Sequence, residues 1–276
     1  MLEQFQLLAA NQFAISSGKM QLAMLEHPFF SIGSRAKDMS IYKYESNDGQ
    51  LDLMIKPSGA GRATIRDSDF IVYLMAKLVM MKELGQLDSD TPLITVEASE
   101  FLQFANRGDS GQSYKNLREM LDRLGGTTYT LTTKRENGRI QNIENTTWID
   151  HEWKAVRELK NKELITFNVR PRAWWVKTIR ESNDYLTVPK EFFSIPHDLH
   201  RRYWQIGRMH ANKNKPFLIS WEKFYNKVGS ATDFVVFRSR LRKTIKDKGS
   251  VTVLGYVITE TEDKRNLQII EAPDKD

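Results

Sequence analysis

Residues 220–246 read SWEKFYNKVGSATDFVVFRSRLRKTIK, and two β-rich runs follow them before the chain ends. Apolar residues spaced by three and four predict a short helix before Gly229 and a second helix over residues 231–247. The glycine and the small polar residues between the two helices are typical of a tight turn. A helix, a turn, a second helix and a hairpin, in this order, predict a winged helix-turn-helix.

The second predicted helix has an apolar side and a basic side. At 100° per residue, one side gathers the residues expected to face the core, which are Phe234, Phe237, Leu241 and Ile245. We predict that Ser230 or Thr232 caps the helix, because a hydroxyl oxygen can accept a hydrogen bond from its first free amides. The opposite side, with Arg240 at its margin, carries Thr232, Val235, Val236, Ser239, Arg242, Lys243 and Lys246.

These residue types suit DNA recognition. Arginine and lysine bind phosphates or guanine edges, hydroxyl groups contact either, and exposed valines can touch thymine methyl groups. A solvated basic face would have the same composition, but the neighbouring helix, turn and hairpin favour a DNA-reading helix. We expect Thr232, Ser239, Arg240 and Arg242 to discriminate bases. Ser230 is a further candidate, and the expected phosphate contacts are Lys243, Lys246, Lys264 and Arg265. On this basis Arg242→Ala is predicted to cost about 1–3 kcal/mol and to blur one base position.

The positive charge of the chain lies in its C-terminal part. The 276 residues carry a net charge of +6, and residues 187–276 contain 17 Lys and Arg against 11 Asp and Glu. The two signs balance in residues 1–186. A local excess of positive charge is typical of proteins that bind polyanions. Hydrophobic residues make up 40% of the chain, enough to predict a substantial core.

Several kinds of site are not expected. The chain has no cysteine, which excludes disulfides and thiolate metal sites. No apolar run reaches the length of a membrane span, and the N-terminus lacks a signal-peptide pattern, so we expect a soluble, cytoplasmic bacterial protein with no membrane partner. His197 and His200 lack a third ligand nearby and read as surface histidines. We expect no metal and no cofactor, and the glycine-rich residues 57–64 lack the pattern of a nucleotide-binding P-loop.

An earlier part of the chain repeats the same order of elements. Helices are predicted over residues 67–85, 97–106 and 112–124, followed by strands over 127–134 and 140–153 that an Asn-Gly turn joins. We therefore predict an α+β fold with two tandem winged helix-turn-helix domains. The outward face of the third helix in the first copy has mixed charge, so this copy is better suited to phosphate contact or to a protein interface. Its candidate DNA contacts are Lys115, Arg135 and Arg139.

The predicted domain boundaries follow from this duplication. Residues 1–26 form an N-terminal lead-in and residues 27–160 the first winged-helix domain. Residues 161–186 are expected to connect it to the second winged-helix domain, residues 187–276. The tandem tryptophans at 174 and 175 are expected to pack at the junction.

Particular motifs resemble the plasmid replication initiator protein A family. In the N-terminal part they are HPFFSI at 27–32, IYKYE at 41–45 and PSGAGRATIRDSD at 57–69. In the C-terminal part they are RRYW at 201–204, KVGS at 227–230 and FR at 237–238. The resemblance covers nearly the whole chain after about residue 20.

This resemblance implies twin winged helices that bind directly repeated sequences, called iterons, in double-stranded plasmid origin DNA. It also implies melting of an adjacent AT-rich region and recruitment of the host replication initiator and the replicative helicase. Related initiators form homodimers that repress their own promoter. A winged-helix transcriptional regulator or repressor remains the alternative function. Catalysis is not expected, because the histidine pair and catalytic triad that hydrolytic or nicking enzymes use do not stand out in the sequence.

Overall fold

The computed structural model describes residues 15–33, 39–134, 140–157 and 163–272. The strands are β1 (Gly18–Gln21), β2 (Tyr42–Glu45), β3 (Leu51–Lys56), β4 (Ile94–Glu97), β5 (Thr128–Lys134), β6 (Ile140–Thr146), β7 (Ile149–Arg157), β8 (Glu163–Pro171), β9 (Tyr185–Val188), β10 (Phe217–Ser220), β11 (Val251–Val253), β12 (Tyr256–Glu260) and β13 (Asn266–Glu271). The helices are α1 (Leu22–Glu26), α2 (Ser68–Glu83), α3 (Ala98–Phe104), α4 (Gly111–Gly126), α5 (Ala173–Glu181), α6 (Asp198–His210), α7 (Trp221–Val228) and α8 (Phe234–Lys248), with a 3-10 helix at Lys190–Ser194.

The first winged-helix domain contains α2, α3, α4 and a three-stranded antiparallel sheet in the order β4-β8-β7. The helix α4 begins where Ser110 accepts a hydrogen bond from the amide of Ser113, an N-cap that satisfies one of the free amides of the first turn. Its apolar residues at three- and four-residue spacing, Leu117, Met120, Leu121 and Leu124, are all buried. The predicted order of helices in this domain is therefore confirmed.

The wing of this domain was predicted in the wrong place. The predicted strand over residues 140–153 is broken into β6 and β7, and the hairpin that joins the sheet of β4 is β7–β8. The strands β5 and β6 do pair, but they extend a second sheet of the first domain, in the order β2-β3-β5-β6. The break falls at Trp148, whose fully buried ring lies 5.7 Å from Phe29 and 4.7 Å from Trp174, between ring centres. Burial of this large ring against other aromatic side chains stabilises the chain in this broken arrangement.

The expected connection over residues 161–186 belongs to the first winged-helix domain. The strand β8 pairs with both β4 and β7, and the indole nitrogen of Trp175 on α5 donates a 2.8 Å hydrogen bond to the carbonyl of Trp148. The end of the N-terminal lead-in is also structured, because β1 pairs with β9 and Gln21 bonds to the carbonyl of Trp175. Trp175 is therefore part of the core, and the partly buried Trp174 packs against it.

The second winged-helix domain contains α6, α7, α8 and a sheet in the order β10-β13-β12-β11. Ser220 caps α7, and Gly229 ends it in the left-handed conformation. The helix α8 begins three residues later than predicted, and its cap is Asp233, whose carboxylate accepts a hydrogen bond from the amide of Val235. The prediction that Ser230 or Thr232 caps the helix is wrong, because Ser230 instead bonds to the amide of Thr232 within the turn.

The two winged-helix domains share one continuous hydrophobic core and an ionic contact. Asp69, at the start of α2, lies 2.5 Å from a nitrogen of Arg201 on α6, and both side chains are 1% exposed. Arg107 contacts the same carboxylate at 3.1 Å, and Arg66 contacts Asp198 at 2.7 Å. Asp69 and Arg66 lie within the motif at 57–69, so this motif joins the two domains. Among the described residues, no helix is long and apolar enough to cross a membrane.

Candidate nucleic-acid interface

The helix α8 presents one side to solvent, as the spacing of its residues predicts. Phe237, Leu241 and Ile245 are buried, while Phe234 is partly buried and packs against Tyr225. The exposed residues that lie together on the opposite side are Val235, Val236, Ser239, Arg240, Lys243, Lys246 and Asp247, the one acidic residue among them. We call this set the exposed face of α8. Val235 is 70% exposed, which leaves its methyl groups free for an apolar partner.

Arg242 does not belong to the exposed face. Its Nε lies 2.8 Å from Oε1 and 3.1 Å from Oε2 of Glu260 on β12, and its guanidinium carbon lies 5.9 Å from the ring centre of Trp221. The hydrogen bonds from the guanidinium to Glu260 raise the pKa of Arg242. Arg242 therefore joins α8 to the wing hairpin β12–β13, and the structure does not favour the base-reading role that its position on the helix suggested. No periodicity relates residues 242 and 260, so the sequence carried no signal of this pair.

Arg238 is a second arginine on α8 that faces the body of the domain. Its guanidinium carbon lies 5.5 Å from the ring centre of Trp221, so two guanidinium groups approach the same buried indole. Cation–π contacts of this kind favour a fixed side-chain position. The cations that remain on the exposed face of α8 are Arg240, Lys243 and Lys246, which are spaced three residues apart and so lie on the same side of the helix.

Ser230 and Thr232 shape the turn between α7 and α8. The hydroxyl of Ser230 accepts a 3.2 Å hydrogen bond from the amide of Thr232, and the hydroxyl of Tyr225 donates to the carbonyl of Thr232 at 3.0 Å. Both residues are half-buried and precede the helix. They lie next to the exposed face of α8 but are not part of it.

The wing of the second domain places Lys264 and Arg265 in solvent at its tip. The carboxylate of Asp263 accepts hydrogen bonds from the Thr261 hydroxyl and from the Arg265 amide, which fixes the turn. Glu262 is exposed beside them, so the charges at the tip balance. The positive potential of this surface therefore comes mainly from the exposed face of α8.

The corresponding helix of the first winged-helix domain, α4, offers less positive charge. Lys115 is exposed, but Arg123 donates two 2.8 Å hydrogen bonds to Asp67, which raise its pKa and hold it against the domain. Exposed Glu119 and Asp122 oppose the remaining cations, as the sequence indicated. Arg135 and Arg139 lie outside the described residues, and the strands on either side of them are not the wing of this domain.

This fold and surface define a class of protein, namely a tandem winged-helix protein whose second domain presents an apolar and basic helix face beside a wing. Two crystal structures of domains 2 and 3 of RctB have a similar fold. One has a TM-score of 0.58 at 13% identity and covers 90% of this chain and 96% of that chain. The other has a TM-score of 0.51 at 14% identity and covers 90% and 95%.

The chain belongs to the replication initiator protein A family, whose model matches residues 19–250. It is also similar to a protein of Wigglesworthia glossinidia brevipalpis named "Putative replication protein". The two are 28% identical over 238 residues, which cover 86% of this chain and 84% of that protein. The family expected from the motifs at 27–69 and 201–238 is thus confirmed.

Proposed function

We propose that this protein initiates replication of a plasmid by binding directly repeated duplex DNA in the origin through α8. The observation that carries the proposal is the exposed face of α8, where valine methyl groups, a hydroxyl and three cations share one side of a helix. Such a helix fits the major groove of B-DNA, which displays a distinct pattern of donors, acceptors and methyl groups for each base pair. Membership of an initiator family supports replication as the purpose of this binding.

Each part of the surface has its own role in this proposal. Ser239 and Arg240 would contact base edges, and Val235 and Val236 would contact thymine methyl groups near the start of the helix. Lys243 and Lys246 on α8, with Lys264 and Arg265 on the wing, would bind phosphates and fix the register of the protein on the duplex. Arg242 would hold the wing at the angle at which it meets the backbone, while Ser230 and Thr232 would shape the entry to the helix.

The remaining partners follow from the same proposal. The first winged-helix domain would contact phosphates through Lys115 or form a homodimer. The protein would act in the cytoplasm without a cofactor and without catalysing a reaction, and would recruit the host replication initiator and the replicative helicase to the bound origin.

Fluorescence anisotropy tests the proposal directly. The full chain is titrated, at two salt concentrations, against duplexes that tile its own replicon. Tight binding to a directly repeated segment, with a preference that survives the higher salt, is the expected result. Preference for a single promoter site would instead support a transcriptional regulator. Weak binding to all duplexes that falls evenly with salt would contradict both functions, because it is the behaviour of non-specific phosphate contact.

A further inference from the structure

The helix α7 of the second winged-helix domain turns a polar side toward the first domain. Asn226 donates hydrogen bonds to the carbonyl of Glu45 at 2.9 Å and to the side-chain oxygen of Asn47 at 3.0 Å. Asn47 in turn donates to the carbonyl of Lys223 at 3.2 Å. The turn between β2 and β3 is therefore hydrogen-bonded to one side of α7, since residues 223 and 226 are neighbours on a helix.

A buried arginine joins the C-terminal ends of two helices at the same contact. Arg202 on α6 donates 2.9 Å and 2.7 Å hydrogen bonds to the carbonyl of Lys227, the next-to-last residue of α7. The same guanidinium donates to the carbonyls of Met24, Leu25 and Glu26, which end α1. The last carbonyls of a helix lack partners within it and carry negative partial charge, so one guanidinium stabilises both helix ends.

The turn between α7 and α8 also touches the first domain. Gly229 has a φ angle of +69°, and a Cβ atom at this position would lie 2.5 Å from Pro28 and 3.0 Å from the hydroxyl of Tyr42. The guanidinium carbon of Arg62 lies 4.8 Å from the ring centre of Tyr42. Residues of all three N-terminal motifs, at 27–32, 41–45 and 57–69, therefore meet beside the helix-turn-helix.

The helix α7 is coupled to α8 through packed aromatic rings. Phe224 lies 6.3 Å from Phe237 and Tyr225 lies 5.3 Å from Phe234, between ring centres. Because protein interiors are closely packed, a shift of α7 is transmitted to α8. Base contacts need placement within about 0.5 Å and 10–20°, so small displacements of the helix matter.

We propose that the first winged-helix domain positions the DNA-reading helix of the second. Asn47 and Asn226 are positioning residues in this scheme: neither touches DNA, and their hydrogen bonds hold α7 so that α8 meets the bases at a fixed angle. The inference rests on the proposed function of α8, but it assigns to the first domain a role that needs no DNA contact of its own.

Two asparagine variants of the full chain test this role. Asn47→Ala and Asn226→Ala each remove hydrogen bonds between the domains, and we expect each to weaken binding to the preferred duplex about three- to tenfold, the effect of losing one or two neutral hydrogen bonds. Binding to a non-specific duplex and the salt dependence should stay as in the wild type, because no cation is removed. Asn214→Ala, an exposed asparagine before β10, is the matched control and should bind like the wild type.

The double variant separates positioning from direct contact. Because the two residues share one of the three hydrogen bonds, the double variant should bind more weakly than either single variant, but its loss should be smaller than the product of the two single losses. Losses that multiply would mean that the residues act independently, and would overturn the inference, as would wild-type affinity in both single variants. If the wild type itself prefers no duplex, the proposed function fails instead. Thermal unfolding of each variant verifies that the fold is intact.

Discussion

The guanidinium of Arg242 on α8 faces both carboxylate oxygens of Glu260 on β12, with Nε 2.8 Å and 3.1 Å from the two oxygens. The carbonyl of Lys264, at the wing tip, accepts from the same guanidinium at 3.4 Å. A two-oxygen contact between a planar guanidinium and a carboxylate fixes orientation as well as distance. Helix and wing are thus joined by side chains from two different elements.

The pair Arg242 and Glu260 predicts similar effects from changes to either residue. We expect Arg242→Ala and Glu260→Gln each to weaken binding to the preferred duplex by about 1–2 kcal/mol, because a hydrogen bond to a charged group contributes about 1.5–3 kcal/mol and the Arg242 side chain is 38% exposed to solvent. The loss should be similar for duplexes with different single base changes, because the wing is displaced and no base contact is removed. Anisotropy titrations against a panel of substituted duplexes measure this.

The variant Glu260→Gln distinguishes an effect of wing position from an effect of charge. Glu260→Gln removes a negative charge beside the proposed DNA-binding surface, so charge alone would strengthen binding to a polyanion. Two results together would instead support base contact by Arg242, as its position on the helix suggested. They are stronger binding by Glu260→Gln and a loss confined to one base position in Arg242→Ala.

Lys243 on the exposed face of α8 predicts a change in salt dependence. Lys243→Ala should weaken binding to all duplexes and reduce the slope of log K against log salt by about 1, because one phosphate contact is lost. Titrations at four or more salt concentrations give the slope. Lys177→Ala, at an exposed lysine on α5, is the control and should leave the slope unchanged. An unchanged slope for Lys243→Ala would place Lys243 away from the phosphates.

The buried Asp69 predicts a large loss of stability. Asp69→Asn leaves the buried guanidinium of Arg201 without its carboxylate, and we expect it to lower the free energy of unfolding by about 3–5 kcal/mol. The control is Asp52→Asn, which breaks the contact to Lys134 between side chains that are 44% and 46% exposed. We expect the control to cost at most about 1 kcal/mol. Urea denaturation of both variants measures the difference, and equal losses would contradict a structural role for the buried contact.

His27 predicts a loss of stability in mild acid. Burial, with the nearby charge of Arg202, lowers the pKa of His27 to about 4. The unfolded chain, with a histidine pKa of about 6.5, then binds the proton more readily than the folded protein. The contribution of the neutral His27 ring to the free energy of unfolding is complete above about pH 6.5. It is lost as the pH falls from about 6.5 to about 4, by up to about 3 kcal/mol.

Comparison with a variant isolates this titration from that of the carboxylates. His27→Gln should lose less stability than the wild type between pH 6.5 and pH 4, as urea unfolding measures at each pH. His197→Gln, at an exposed histidine, should follow the wild type. Identical pH profiles for His27→Gln and the wild type would mean that the folded protein binds a proton at His27 as readily as the unfolded chain does.

Much of the fold can be predicted from the local spacing of apolar residues in the sequence. The helix over residues 231–247 and its apolar side were predicted because Phe237, Leu241 and Ile245 follow the helical period, and burial follows the same period. The duplicated order of helices was visible for the same reason. The wing of the first domain was not predictable in this way, since pairing of β8 with β4 joins residues about 70 positions apart.

The sequence by itself determined the helices of both domains, the wing of the second, the family and the basic side of α8, because each depends on residues close together in the chain. Only the tertiary structure decided which cations on α8 are free, since Glu260 and Trp221 come to Arg242 and Arg238 from other elements. It also decided that Asn47, Arg202 and Pro28 meet at the helix-turn-helix. Contacts between distant residues arise from packing, which no local period records.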